Sequence, residues 1–204
     1  MELQDYTMKT IRLLTIGNSF SDNALTYLGD IATGTGQVRF EVGRASLGGC
    51  SLERHWNLAR YTAAHPDFSP YADGRLQDIL TRRPWDVVTL QQVSRQSWIP
   101  ESFEPSLSHL HAMVREHAPQ AEIMLHQTWA YRTDCPFLTQ NCLTQDIMHD
   151  RIGESYRHYA HKLNCRILPS GNAIHRARNA PGRRFEWPEP DFDYLRADAP
   201  ALPR

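Results

Sequence analysis

Apolar positions along the chain fall into short buried-looking runs separated by stretches of helical period. The run Ile11-Arg-Leu-Leu-Thr-Ile16 stops at Gly17 and predicts a strand. Leu25, Leu28, Ile31 and Ala32 then recur at helical spacing, which predicts a helix over 23–33. Ser21 or Asp22 is its expected N-cap, and Gly34 and Gly36 stop it. Val38–Val42 alternates as a second strand, and Leu52–Ala63 reads as a helix after the turn Gly48-Gly49. Two prolines and a glycine make 65–74 a loop, followed by a short helix over Leu76–Thr81. A β-branched strand is predicted over Trp85–Gln91, an amphipathic helix over Phe103–Glu116 and a fourth strand over Ala121–Gln127. After a loop bearing Trp129, Tyr131 and Pro136 come a long helix over Asp146–Leu163, a fifth strand over Cys165–Leu168 and a short helix over Ala173–Arg178. From residue 180 on, Pro181, Pro188, Pro190, Pro200 and Pro203 interrupt the pattern. The expected organisation is one domain over 1–178 and an extended, proline-rich segment over 179–204.

Strands alternating with helices predict an α/β fold with a mostly parallel five-stranded sheet. Such sheets place ligands at the carboxyl ends of their strands. Polar residues cluster at those ends: 17–23 after strand one, 48–51 after strand two, 91–94 after strand three and 126–131 around the end of strand four. That coincidence points to a functional site along one rim.

Composition narrows the partners. The 204 residues carry a formal net charge of −1, so there is no basic surplus for nucleic acid or an anionic membrane. No apolar run approaches the roughly 18 residues of a spanning helix. The polar N-terminus has no signal-peptide pattern, so the chain as written is expected in the cytoplasm. Cys50, Cys135, Cys142 and Cys165 fit neither a zinc nor a CxxC spacing and are read as free thiols. No metal or other cofactor is expected.

Ser19 stands where a strand turns into a helix. A serine so placed attacks a carbonyl when a base takes its proton. A helix start behind it, a glycine N–H at Gly48 or Gly49 and a side-chain amide from Gln91 or Gln92 together make a workable set of oxyanion donors. Asn18, His55, Ser94, His126, Trp129 and Tyr131 are the candidate substrate contacts on the same rim, the two aromatics as surfaces for a sugar ring.

These residues resemble a known family. Gly17-Asn18-Ser19-Phe20-Ser21 is similar to the first block of the SGNH hydrolases, the GDSL-like esterases and lipases. Gly48-Gly49-Cys50-Ser51-Leu52 with His55 resembles the second block, and Trp85 to Ser94 the third. His126-Gln127-Thr128-Trp129-Ala130-Tyr131 and Pro169-Ser170-Gly171-Asn172-Ala173 continue the likeness to about residue 178. The resemblance implies a flavodoxin-like three-layer α/β/α sandwich and metal-free hydrolysis of esters, often acetyl groups on carbohydrates. By it, Ser19 is the nucleophile and Gly49 an oxyanion donor. The third block lacks the family's asparagine, and Gln91 is the first choice for that amide, Gln92 the second.

The family's last block, a DxxH segment carrying the base, has no match. The last histidine is His175, and Asp191-Phe192-Asp193-Tyr194 has the spacing but ends in tyrosine. The expectation is therefore a truncated chain whose C-terminal element is missing, with exposed sheet surface that self-association would cover. The expected function is a serine esterase acting on O-acyl esters of carbohydrates or other small polar alcohols, with its base supplied from elsewhere. The competing expectations are a non-catalytic carbohydrate-binding remnant and an inactive truncated product.

Overall fold

The computed structural model describes residues 8–180. Five parallel strands form one sheet in the order β2-β1-β3-β4-β5. They are β1 (Lys9–Gly17), β2 (Val38–Ser46), β3 (Val87–Leu90), β4 (Glu122–His126) and β5 (Arg166–Leu168). Helices flank this sheet in the flavodoxin-like arrangement. The chain leaves β1 first to one side, to β2, and then returns to the other side, to β3. The carboxyl ends of β1 and β3 therefore bound the crevice where such sheets bind ligands.

The helices are α1 (Ser19–Leu25), α2 (Leu28–Thr35), α3 (Leu52–Ala64), α4 (Leu76–Thr81), α5 (Ser106–His117), α6 (Pro136–Gln140), α7 (Gln145–Leu163) and α8 (Ser170–Arg178). The core runs through Leu14, Ile16, Val88, Leu90, Ile123 and Leu125 of the sheet and Leu52, Leu110, Val114, Ile152 and Tyr156 of the covering helices.

Four local readings are corrected. The helix expected over 23–33 is two, with α1 starting at Ser19 and the chain turning at Thr26-Tyr27. Asn18, not Ser21 or Asp22, is the N-cap: its side chain accepts from the Phe20 N–H. The helix expected from Phe103 starts at Ser106, after a 3₁₀ turn over Pro100–Phe103 and Pro105. Strand β2 runs past Val42 because β1 pairs with it residue for residue up to Gly17 opposite Ser46. The segment Asp191–Tyr194, like the rest of 181–204, lies outside the described residues.

Candidate active site

Ser19 is the first residue of α1, directly beyond β1, and it is exposed. Among the described residues its hydroxyl has no hydrogen-bond partner. Its N–H has no acceptor within the helix, as for any residue of a first turn. Beside it stands the Gly48-Gly49 turn. Gly49 is exposed with φ +62°, a backbone that favours glycine, and no atom lies within 4 Å of where a Cβ would stand. Asn18 ties the two turns together: Nδ2 donates to the Cys50 carbonyl at 3.0 Å while Oδ1 receives the Phe20 N–H at 3.1 Å. The Leu47 N–H adds a second tie to the Gly17 carbonyl at 3.3 Å.

Beneath this surface the polar side chains are wired to one another. The Ser21 hydroxyl donates to Gln91 Oε1 at 2.8 Å, and Gln91 Nε2 donates to His126 Nδ1 at 3.2 Å. An accepting Nδ1 places the proton of a neutral imidazole on Nε2, which faces Ser170 Oγ at 3.0 Å. A chain of four side chains, buried except at Ser170, thus runs from α1 across β3 and β4 to the start of α8. His55 is held as firmly. Its Nε2 donates to the Gly17 carbonyl at 2.9 Å, so Nδ1 receives the Tyr71 hydroxyl at 2.8 Å. Burial lowers both histidines to about 4, which keeps each neutral near pH 7.

Gly17 makes this packing possible. A Cβ there would meet Ser21 Oγ at 2.3 Å and Gln91 Oε1 at 3.2 Å. Gly17→Ala is expected to cost about 1–3 kcal/mol by splitting Ser21 from Gln91, read as a lowered urea midpoint. An unchanged midpoint would show that the turn yields freely.

The other sequence candidates lie below the rim. Asn18, His55, Ser94, His126, Trp129 and Tyr131 are all buried, none more than 6 % exposed. Their side chains lie beneath the surface on which Ser19 and Gly49 are exposed. Trp129 stacks on Phe20 with ring centroids 4.3 Å apart, in the core and not on a sugar-facing surface. Ser94 Oγ and the Tyr131 hydroxyl bond each other at 2.7 Å. Gln92 spends its amide on the Ser102 carbonyl and hydroxyl and takes the Leu52 and Val93 N–H groups on Oε1. It therefore has no donor left for an oxyanion, and Gln91 keeps one N–H beyond the bond to His126. Sequence reasoning missed Ser170 and Tyr71, and it read Ser21 only as a cap. Their partners lie 44, 16 and 70 residues away in the chain, and no local pattern marks them.

Among the described residues no group of three His, Cys, Asp or Glu side chains is placed to hold a metal. No helix there is long and apolar enough to cross a membrane.

Residues 12–183 match the family described as a domain of unknown function, DUF4886. The chain belongs to that family. A DUF4886 protein from Bacteroides uniformis ATCC 8492 has a similar structure at 31 % identity and a TM-score of 0.74, over 83 % of this chain and 71 % of that one. A protein from Slackia heliotrinireducens assigned to the SGNH hydrolases superposes at 23 % identity and a TM-score of 0.58, over 82 % of this chain and 83 % of that one. An acetyl xylan esterase, AlAXEase, does so at 16 % identity and 0.55, over 84 % of each chain. None of the curated proteins matches. This DUF4886 chain thus has the fold shared by SGNH hydrolases and esterases.

Proposed function

We propose that the chain is a serine ester hydrolase in which Ser19 attacks the acyl carbon. The observation that carries this reading is an exposed, unbonded Ser19 hydroxyl on a turn that Asn18 ties to an exposed glycine turn, with open space where a Gly49 Cβ would stand. The N–H groups of Ser19 and Gly49 are the oxyanion donors. The substrates are O-acyl, chiefly acetyl, esters of carbohydrates or other small polar alcohols. AlAXEase, an acetyl xylan esterase, supports that class by analogy of fold alone.

Neither buried histidine serves Ser19 as its base. Both ring nitrogens of His55 and of His126 are engaged within the described residues, and burial makes both weak bases. No histidine follows His175 in the 204 residues. Among the described residues no group hydrogen-bonds the Ser19 hydroxyl, so the described site has oxyanion donors and no engaged base. A positioned general base contributes roughly 10²–10⁴ in rate, so added imidazole should restore part of it. We expect 100 mM imidazole to raise hydrolysis of p-nitrophenyl acetate roughly tenfold in the wild type and to leave Ser19→Ala at the background rate. Equal stimulation of both proteins would overturn the assignment of Ser19. A second reading, a binding module without turnover, is favoured by the same locked histidines. It predicts saturable binding of an acetylated glycoside with no hydrolysis at any imidazole concentration.

A further inference from the structure

A cleft opens beside Ser19, lined by Asp22, Val42, Arg44, Ser46, Gly48 and Ala72-Asp73. Two sides of it start from the candidate catalytic groups. Asp22 is three residues after Ser19 and lies on the same side of α1, and Gly48 directly precedes Gly49. Its floor is the rim end of β2, where Ser46 pairs with Gly17, and Val42, Arg44 and Ser46 share one face of that strand. The cleft therefore runs sideways from the position of the acyl carbon, over the edge of the sheet.

Its chemistry is mixed in sign. Asp22 accepts the Ser46 hydroxyl at 2.7 Å and faces Arg44 Nε at 3.7 Å, beyond hydrogen-bond length. Among the described residues Arg44 makes no hydrogen bond, so its guanidinium donors remain open. Asp73 stands across the cleft, 3.4 Å from Arg82. Two carboxylates repel an anion, Arg44 repels a cation, and a fully apolar ligand would strip water from these charged and hydroxyl groups without replacing its hydrogen bonds. A neutral group rich in hydroxyls satisfies all of them. Its O–H groups donate to Asp22 and Asp73 and accept from Arg44, and its C–H faces lie on Val42, Gly48 and Ala72.

Building on the esterase reading, we propose that this cleft receives the alcohol half of the ester and that this half is a polyhydroxyl ring, with Arg44 and Asp73 as the residues that select it. The acyl group stays on the Gly49 side.

The test separates binding from turnover. In the Ser19→Ala background, binding of a mono-acetylated methyl glycoside is followed by saturation-transfer NMR. Arg44→Met and Asp73→Asn should each weaken it roughly tenfold, the size expected for hydrogen bonds to charged groups. In the wild-type background the same two substitutions should lower imidazole-assisted hydrolysis of the acetylated glycoside several-fold more than that of p-nitrophenyl acetate, an ester with no hydroxyls for the cleft to read. Both side chains are exposed, and matching unfolding midpoints establish that the fold is intact. Glycoside binding that is absent, or undiminished in the double variant, overturns the inference. If neither ester is hydrolysed but the glycoside binds and the variants weaken it, the catalytic reading fails and the cleft assignment stands.

Discussion

Lowering the pH from 7 toward 4 is expected to remove several kcal/mol of this protein's stability. The cause is the pair of buried neutral histidines under the rim. In the unfolded chain a histidine titrates near 6.5, whereas His55 and His126 are pushed down to about 4, chiefly by burial. Between those values the unfolded state binds protons that the folded state refuses. Stability is therefore complete above about pH 6.5 and falls as the pH drops through that window. A displacement of this size is worth about 3 kcal/mol per histidine once the pH reaches 4. Burial shifts His111 and His149 in the same direction. The carboxylates of Asp78 and Asp134 have lowered values, held down by Arg75 and Arg132, so their contribution is lost only below about pH 4. Urea midpoints followed by circular dichroism at pH 7.5, 6, 5 and 4 should fall steadily. In His126→Gln, whose amide both accepts and donates, they should fall less steeply. A flat midpoint down to pH 4.5 would mean that the two rings are hydrated or protonated in the folded protein.

Trp129→Ala should be the most damaging single truncation among the sequence candidates, at about 3–5 kcal/mol. The indole is 1 % exposed and stacks on Phe20, the residue that follows Ser19. Removing it leaves a cavity under the β1–α1 junction, whose backbone is held by the Asn18 and Gly17 hydrogen bonds and is poorly placed to fill it. Trp129→Phe is the informative companion. It keeps an aromatic face against Phe20, and the lost Nε1 has no hydrogen-bond partner among the described residues. We expect a clearly smaller loss of stability from it and unchanged binding of an acetylated glycoside to the Ser19→Ala protein. Weakened binding in the well-folded Phe variant would return Trp129 to the ligand surface.

The two tryptophan variants bear on how much of the site was readable from sequence. The alternation of apolar runs and helical periods located all five strands and the turn from β1 into α1, because burial on both faces of a parallel sheet leaves continuous apolar runs. Long-range pairing is not written locally. The polar residues at the strand ends look alike in sequence, whether they face a ligand or a partner 40 residues away. His126 and Gln91 were recognisable as rim residues. That their polar atoms turn inward, toward Ser170 and Ser21, depends on how β3, β4 and α8 pack. The split of the first helix was hidden for a related reason. Ser21 is polar and fully buried, so a hydrophobic period starts counting a turn too late.

The bond from Asn18 to the Cys50 carbonyl gives the rim a kinematic property. Ser19 and Gly49 belong to connections leaving two different strands, and such loops ordinarily drift independently. With Asn18 clamped to both, and Leu47 clamped to Gly17, thermal motion carries the hydroxyl and the glycine N–H as one body. Their spacing is then set by a covalent chain and two hydrogen bonds, and it holds whether or not a substrate is present.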